Sequence, residues 1–409
     1  MRQILVLGLG HLSNGEITIA VETLRQLPAE EFNLLFLSHK EGAKYIRSLG
    51  IQAEGLNNTD PVKNKEEFKE LVARWKPDMI ICADIYTMDY ASTWSGFDFA
   101  YLNTLGLPIG SFDQYEWEST SFTWDIMGSA GMRMKESLIT DCDLLIRPCP
   151  LNKPVSLEKR IITCRLFDQD LGLPFRDKNS WYQELDIPAD KKVVFTVNSN
   201  WEYINISKSK QVKRMREWMP RFIYEYLAAT GVPLVVLHVG PKPWDFPVDK
   251  LDYRYFPGLE SSLYRDSIYY SDLFCGTNAI SITLSSAVYS QTPVVLFQNL
   301  KRLDFDLLKG IIHQMPPWYR RMADEVEQAF SIRVFPWGWK NFLEPVFRNN
   351  MYTETFFTAP ILEPKKCIQI LNSVLTGQER REKLCRKQRK YFELLAGLRP
   401  LHENLISFF

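Results

Sequence analysis

A histidine stands at the tip of a glycine-rich turn near the start of the chain. The sequence reads ILVLGLGHLSNGEI, in which Gly8 and Gly10 follow an apolar run and His11 comes next. An apolar strand that enters a helix through a glycine turn is typical of nucleotide-binding folds. Histidine suits acid–base chemistry because its pKa lies near neutral pH. The turn therefore predicts a ligand site, and the residues around it indicate which ligand.

A dinucleotide cofactor fits this turn poorly. The fingerprint G-x-G-x-x-G requires a third glycine or alanine, where this chain has Ser13. A nicotinamide site also needs an acid at the end of the second strand to bind a ribose hydroxyl, but that strand ends in Ser38 and His39. We therefore expect no bound cofactor.

Short apolar runs alternate with amphipathic segments along both halves of the chain. Continuous apolar runs of this length are typical of buried parallel strands, and repeated strand–helix units predict a doubly wound sheet. The fold class is therefore α/β, with two Rossmann-like domains facing a cleft that suits a ligand. The predicted strands are residues 3–9, 33–38, 79–84, 107–113 and 143–150, the last of the first half, and then 192–199, 233–240, 253–258, 271–276 and 293–299.

The strand–helix alternation stops between the two halves, where prolines are frequent and no periodicity is visible. The first domain is predicted over residues 1–155 and the linker over 156–190. The second domain covers 191–377, and a basic helix lies within the final segment, 378–409. Residues 301–359 are rich in aromatic side chains and match no motif.

Composition limits the partners of the chain. Its 409 residues are 45% apolar, and 49 basic and 49 acidic residues give a formal net charge of +0, which offers no reason to expect a nucleic acid. No apolar run is long enough to span a membrane, and the N-terminal pattern is not that of a signal peptide. The seven cysteines are scattered singly and predict reduced thiols in a cytoplasmic protein rather than a zinc site.

Several segments, in order, resemble one enzyme family. The first strand, Gly-His turn and first helix resemble those of GT-B glycosyltransferases of the UDP-glycosyltransferase and MurG type. KPDMIICAD and LPIGSFD resemble the next strands of the same domain, and SDLFCGTNAISITLSSAVYSQTPVVLFQ resembles the donor-binding strand, loop, helix and strand. The terminal helix, within residues 378–409, resembles in position the family's last helix, which implies that it crosses back to the first domain. The resemblance is one of layout over most of the chain, and it implies an acceptor-binding first domain and a donor-binding second domain.

The resemblance implies a catalytic pair. In inverting members, the histidine of the Gly-His turn takes the proton from the attacking hydroxyl, and an aspartate at the end of the PD…D strand orients the ring. Carried over, these are His11 and Asp84. Both follow parallel strands, so they are expected at the same edge of one sheet. The alternative is that each residue only caps its own helix.

The departing diphosphate is expected at a helix N-terminus in the second domain, where free N–H groups and the helix dipole can hold phosphate without a metal. An ordinary Ser/Thr-capped helix is the alternative. The strand ends around the cleft supply the other expected donor contacts, with a buried or surface position as the alternative for His238. The candidate donor-binding residues are Asn198, Ser199, His238, Gly240, Phe256, Gly258, Gly276, Thr277, Asn278, Ala279, Ser281, Thr283 and Ser286.

Three positions depart from the family pattern in this donor region. Ser286 stands where the family has the glutamate that binds the ribose hydroxyls, and Ile280 and Gln291 replace glycines. These departures leave two alternatives open: an unusual donor, or a relative that has lost its donor site.

The acceptor is expected on the first domain, where FDQYEWESTSFTWD follows a strand. Asp113, Glu116, Trp117 and Trp124 are the candidate acceptor-binding residues, with a plain surface loop as the alternative. Two D-x-D triplets, Asp141 with Asp143 and Asp304 with Asp306, are not expected to bind a metal, because such triplets arise by chance in a chain this acidic. No G-x-S-x-G motif supports a serine hydrolase.

The expected function is transfer of a sugar from a nucleotide-diphosphate sugar to a small-molecule acceptor. The mechanism is expected to be inverting and metal-independent, in an enzyme of natural-product or cell-envelope type. The alternatives are a non-hydrolysing nucleotide-sugar epimerase on the same fold and a non-catalytic binding protein. The nucleotide, the sugar, the acceptor and the oligomeric state are not predicted.

Overall fold

The structure is a computed structural model of the 409-residue chain. It describes residues 1–10, 15–57, 60–124, 132–155, 159–168, 173–199, 210–298, 315–321, 324 and 343–409. Of these, the backbone alone is described at residues 124, 132 and 210–217.

The first half of the chain builds a parallel sheet around an apolar core. Its strands lie in the order β3-β2-β1-β4-β5-β8-β9, so the chain runs outward from β1 in one direction and then in the other. A short antiparallel pair, β6 with β7, stands apart. The strands are β1 Arg2–Gly8, β2 Phe32–His39, β3 Ala53–Leu56, β4 Met79–Cys82, β5 Ile109–Phe112, β6 Thr123–Trp124, β7 Met132–Arg133, β8 Leu144–Cys149 and β9 Ile161–Arg165.

The second half repeats this design. Its parallel sheet has the order β12-β11-β10-β13-β14-β15, with the first strand of the unit again in the interior. The central strands are fully buried, as their continuous apolar runs predict. The strands are β10 Lys192–Val197, β11 Leu234–Val239, β12 Asp252–Phe256, β13 Leu273–Gly276, β14 Val294–Gln298 and β15 Phe357–Pro360.

Helices connect the strands, and local signals fix their ends. Asp60 caps the N-terminus of α3, Pro61 opens it, and Lys76 ends it in a left-handed conformation with φ of 51°. The helices are α1 Gly15–Leu24, α2 Lys40–Ser48, α3 Pro61–Trp75, α4 Ile85–Tyr90, α5 Ser92–Ser95, α6 Phe99–Asn103, α7 Ser137–Thr140, α8 Lys178–Glu184, α9 Lys210–Ala228, α10 Ser261–Tyr270, α11 Ile282–Tyr289, α12 Glu344–Phe347, α13 Pro364–Leu375, α14 Gln378–Ala396 and α15 Leu401–Leu405. Among the described residues, 3-10 turns lie at Met351–Glu354, between α12 and α13, and at Ile406–Phe408, after α15.

The two parallel sheets confirm the predicted fold class, with one correction to the strand list. β8 is not the last strand of the first sheet, because β9 pairs with it in parallel at the sheet edge. β9 lies inside the segment expected to link the domains, and its apolar residues are buried like those of the other strands. The short strands β3, β6, β7 and β15 were also not predicted. The domain limits themselves stay a prediction.

Side-chain hydrogen bonds tie the end of the first sheet to residues that are distant in sequence. The Tyr391 hydroxyl of α14 donates to the carbonyl of Pro150 at 3.0 Å, and Asn350 Nδ2 donates to the carbonyl of Leu151 at 2.8 Å. Gln26 Nε2, just after α1, donates to the carbonyl of Leu166 at 3.1 Å. These bonds hold the end of the first sheet against residues far along the chain.

Candidate functional site

The glycine turn after β1 packs directly against the start of α4. A Cβ atom at Gly10 would lie 3.3 Å from Thr87 Cβ, so this position has room for little more than a hydrogen. Gly8 is held from the other side, where Ser38 Oγ donates to its carbonyl at 2.5 Å. The close approach places the chain at residue 10 beside the first turn of the helix that Asp84 caps. Ser38 is buried and engaged in this bond, which agrees with the absence of a nicotinamide-type ribose acid at the end of β2.

Asp84 sits at the end of β4 with its carboxylate buried. It is 4% exposed, and its Oδ1 accepts the backbone N–H of Thr87 at 2.7 Å, which caps α4. Burial, together with the charge of Glu16 in the first turn of α1, raises the pKa of Asp84 to about 7. A raised pKa in a carboxyl group buried by the fold is typical of functional sites, although structural networks also produce it. The predicted partner His11 lies outside the described residues, so its proposed role stays a prediction.

The sequence did not reveal Glu16 as a neighbour of this site. Its charge acts on Asp84 and also helps to raise the pKa of the Tyr115 hydroxyl, which burial raises most. Glu16 follows β1, Asp84 follows β4 and Tyr115 follows β5, so the three side chains come from adjacent strand ends. The parallel order of those strands was the one available signal, because it brings their carboxyl ends together.

Asp113 and Glu116 form a buried ionic cluster rather than two open carboxylates. Arg147, on β8, contacts Asp113 Oδ2 through Nε at 2.9 Å and Nη2 at 2.8 Å. Burial raises the pKa of Asp113 to about 6, while the Arg147 guanidinium acts in the opposite direction. Glu116 accepts Asn152 Nδ2 at 3.1 Å and Ser119 Oγ at 3.3 Å. These bonds fix the loop that begins at Asp113. That Asp113 and Glu116 bind the acceptor stays a prediction.

Aromatic side chains pack around the same loop. Trp117 is 3% exposed, and its ring lies 4.8 Å from that of Tyr86 and 5.3 Å from that of Tyr115. Trp124 lies on β6, and only its backbone is described. Trp117 therefore acts at least as a packing residue of the first half.

The segment of the second sheet from β13 through α11 to β14 has no charged side chain. From Leu273 to Gln298 the chain has no Asp, Glu, Lys or Arg, and the candidate residues Gly276, Thr277 and Ala279 lie in this stretch. Asn278 Oδ1 accepts the N–H of Ile280 at 3.0 Å, which turns the chain into α11. Ser281 occupies the N-cap but makes no side-chain capping bond. The α11 N-terminus thus keeps its dipole and N–H groups without a side-chain oxygen from its own cap.

Two hydroxyls of α11 are already engaged. Thr283 Oγ1 lies 2.6 Å from the hydroxyl of Tyr264, a residue of α10 that the sequence analysis missed. Ser286 Oγ donates to the carbonyl of Ile282 at 3.0 Å, within its own helix. Each hydroxyl can still accept or redirect one bond, whereas no carboxylate stands at position 286.

His238, expected at the cleft, is wholly buried and neutral. Its Nδ1 lies 2.7 Å from the Tyr253 hydroxyl and its Nε2 lies 2.8 Å from Asn198 Oδ1. Burial lowers the pKa of His238 to about 4. Because an amide oxygen only accepts, Nε2 carries the hydrogen and Nδ1 accepts from Tyr253, which itself accepts the N–H of Trp244 at 3.0 Å. His238 therefore orients Asn198, a candidate donor contact at the end of β10.

The remaining candidates surround this network. A Cβ atom at Gly240 would meet His238 Nε2 at 3.0 Å and Asn198 Cβ at 3.2 Å, so the network requires glycine there. Gly240 donates its N–H to the carbonyl of Phe256 at 3.1 Å, while Gly258 is exposed. The Ser199 hydroxyl is buried and makes no hydrogen bond within the described residues.

The two aspartates of the first D-x-D triplet accept hydrogen bonds from nearby protein groups. Asp143 Oδ2 accepts the N–H of Ile109 at 2.8 Å, and Asp141 Oδ1 accepts from Thr140 Oγ1 at 3.2 Å. Asp304 and Asp306 lie outside the described residues. Within the described parts of the chain no three His, Cys, Asp or Glu side chains are grouped as a metal would require, and metal independence stays a prediction.

Comparison with protein families places the chain. The profile of a family of unknown function, DUF6365, matches residues 23–409. The chain belongs to DUF6365. None of the curated proteins matches it. No helix among the described residues of this DUF6365 chain is long and apolar enough to cross a membrane.

Solved structures resemble the DUF6365 chain over nearly its whole length. The spinosyn forosaminyltransferase SpnP is similar with a TM-score of 0.57 and 11% identity, covering 100% of this chain and 97% of its own. The glycosyltransferase VinC in complex with dTDP has a TM-score of 0.53 and 12% identity, at 99% and 98% coverage. HepE from Anabaena, in complex with UDP and glucose, has a TM-score of 0.53 and 10% identity, at 100% and 99% coverage. These similarities confirm the GT-B fold.

Proposed function

We propose that this DUF6365 chain is a glycosyltransferase that moves a sugar from a nucleotide-diphosphate sugar to a small-molecule acceptor. The observation that carries the proposal is the glycine turn of β1 packed on the first turn of α4, beside the buried Asp84. SpnP, VinC and HepE share the fold; SpnP is a forosaminyltransferase, VinC is a glycosyltransferase that binds dTDP, and HepE binds UDP and glucose. The proposal extends these properties to this chain.

In the proposed reaction His11 is the general base. The acceptor hydroxyl gives its proton to the imidazole as its oxygen attacks the anomeric carbon, and the bond from that carbon to the diphosphate breaks with inversion. The diphosphate leaves with the electron pair. Asp84 orients the imidazole and stabilises the imidazolium, whose positive charge would lower the pKa of the carboxyl from about 7 and keep it ionised.

The α11 N-terminus is proposed to receive the departing diphosphate. Its Ser281 cap makes no side-chain bond, and the loop before it has no carboxylate that would repel phosphate. No metal is required by this arrangement, since backbone N–H groups and the dipole carry the electrostatic stabilisation. Asn198, oriented by His238, is a further contact for the donor.

Binding of the donor is the first test. Thermal unfolding should be measured with a panel of UDP-, dTDP- and GDP-sugars, and at least one should raise the melting temperature in a concentration-dependent way. The variant Ser281→Asp should reduce that shift, because a carboxylate at the cap repels the diphosphate, and the uncharged Ser281→Asn is its matched control. A panel in which no compound stabilises the chain would favour the second candidate, a non-catalytic binding protein.

One observation favours that second candidate. Position 286 carries a serine whose hydroxyl is hydrogen-bonded within α11, so no carboxylate at this position is available to bind the ribose of a donor nucleotide. A chain that had lost its donor site would show this kind of change. Stabilisation by a nucleotide sugar would exclude it.

A further inference from the structure

The long helix α14 is held rigidly by its inner face. Leu384, Gln388, Tyr391 and Leu395 are buried. Gln388 Nε2 donates to the carbonyls of Thr292 at 2.8 Å and Thr355 at 3.0 Å. The helix therefore presents its outer face in a fixed position.

Cations form a line along the outer face. Arg380, Lys383, Lys387 and Lys390 are all exposed, and their spacing of three, four and three residues puts them on one side of the helix. We name these four residues the cationic stripe. It runs for about 15 Å along the helix axis. Leu394, four residues further along the same side, is 44% exposed.

A groove of about 480 Å³ runs beside the stripe, with Phe357 on its far side. The Arg380 guanidinium lies 4.6 Å from the centre of the Phe357 ring, and Lys387 Nζ lies 2.9 Å from a Glu354 oxygen. Glu379 also lines the groove. Within the described parts of the chain, Lys383 and Lys390 make no ion pair. The stripe therefore keeps positive charge that the protein does not neutralise.

We propose that the cationic stripe and Leu394 dock the chain on an anionic phospholipid surface. A straight row of cations on a fixed helix matches a plane of phosphate groups, and each lysine near such a surface adds attraction. The exposed Leu394 at the end of the row can bury its side chain at the acyl boundary of a membrane. A nucleic acid offers no such apolar layer, so a phospholipid surface fits this face better. Because the whole chain has a formal net charge of +0, attraction to an anionic surface has to come from a local patch such as this stripe. The inference does not depend on the proposed function.

Vesicle sedimentation tests the proposal. The full chain should pellet with phosphatidylcholine vesicles that contain phosphatidylglycerol, and high salt should release it. It should not pellet with pure phosphatidylcholine. The double variant Lys383→Gln/Lys390→Gln should bind about 30-fold more weakly, about fivefold for each lysine.

The matched control is Lys63→Gln/Lys69→Gln, which removes the same charge from exposed positions on α3. It should bind the anionic vesicles as the wild type does. Leu394→Ser should weaken binding to those vesicles without changing the salt dependence. The proposal is overturned if the wild type does not pellet with anionic vesicles, if it pellets equally with neutral ones, or if the control loses as much binding as the stripe variant.

Discussion

The carboxyl ends of the two sheets differ in the kind of group that they bury. The first edge holds titratable side chains: burial raises the pKa of Asp84 to about 7 and that of Asp113 to about 6, and Arg147 is paired there. The second edge is uncharged from Leu273 to Gln298, and burial lowers the pKa of its nearest histidine, His238, to about 4.

The same architecture therefore supports two different tasks. A buried carboxylate can stabilise a positive charge that forms beside it, as the proposed histidine base on the acceptor side requires. Neutral hydroxyls and a helix N-terminus bind an anion without a charged side chain, as the proposed donor side requires. The predictions below test this division, from the largest expected effect to the smallest.

Replacing Asp84 tests the first edge. Asp84→Asn should lower the transfer rate by about 10²- to 10⁴-fold, because the amide can still accept the Thr87 N–H but cannot stabilise an imidazolium. Steady-state rates with a donor found in the panel measure the effect. Asp98→Asn is the control, since Asp98 caps α6 in the same way through the Tyr101 N–H at 2.9 Å. Equal rates for wild type and Asp84→Asn would remove Asp84 from the mechanism.

A charge placed at the second edge should have the next largest effect. Ser281→Asp should weaken donor binding by about 10- to 100-fold through repulsion of the diphosphate, while it stabilises α11 as an N-cap. Titration calorimetry and thermal unfolding measure these opposite changes. Ser281→Asn caps the helix without charge and should leave donor affinity nearly unchanged. A Ser281→Asp variant that binds donor normally would place the diphosphate elsewhere.

The pH dependence of stability should differ in sign between the two edges. The folded pKa of Asp84 is raised from 3.8 to about 7, so the stability it contributes is full below pH 3.8 and is lost as the pH rises through 7. The folded pKa of His238 is lowered from 6.5 to about 4, so its contribution is present above pH 6.5 and is lost as the pH falls through 4.

Urea unfolding between these pH values measures both slopes. Asp84→Asn should make the free energy of unfolding rise more steeply with pH, and His238→Gln should make it rise less steeply, each by at most about 1.4 kcal/mol per pH unit. Changes of the same sign in the two variants would contradict the assigned burial of one of the groups.

Ser286 should show the smallest effect. Because its hydroxyl donates to the Ile282 carbonyl inside α11, Ser286→Ala should change donor affinity by no more than about twofold. The same titration measures it. A tenfold loss would show that the serine contacts the donor and that the second edge binds the ribose through this hydroxyl.

The sequence predicted the fold better than it predicted the contacts of the site. Long apolar runs such as that of β1 predict buried parallel strands, whereas β9 was missed because it lies in a proline-containing segment without clear periodicity. Asp84 was located because KPDMIICAD resembles a strand of the GT-B family, but the Arg147 partner of Asp113 lies 34 residues away and carries no local signal. The sequence left open whether His238 faces the cleft or is buried, and only its bonds to Tyr253 and Asn198 show that it supports the site from behind.

Donor hydrolysis by wild type and by His11→Ala tests the central claim most directly. With a nucleotide sugar that stabilises the chain, the wild type should release nucleoside diphosphate, and His11→Ala should release it about 10²- to 10⁴-fold more slowly while binding the donor with unchanged affinity. Undiminished release by His11→Ala would contradict the assignment of the glycine-turn histidine as the base.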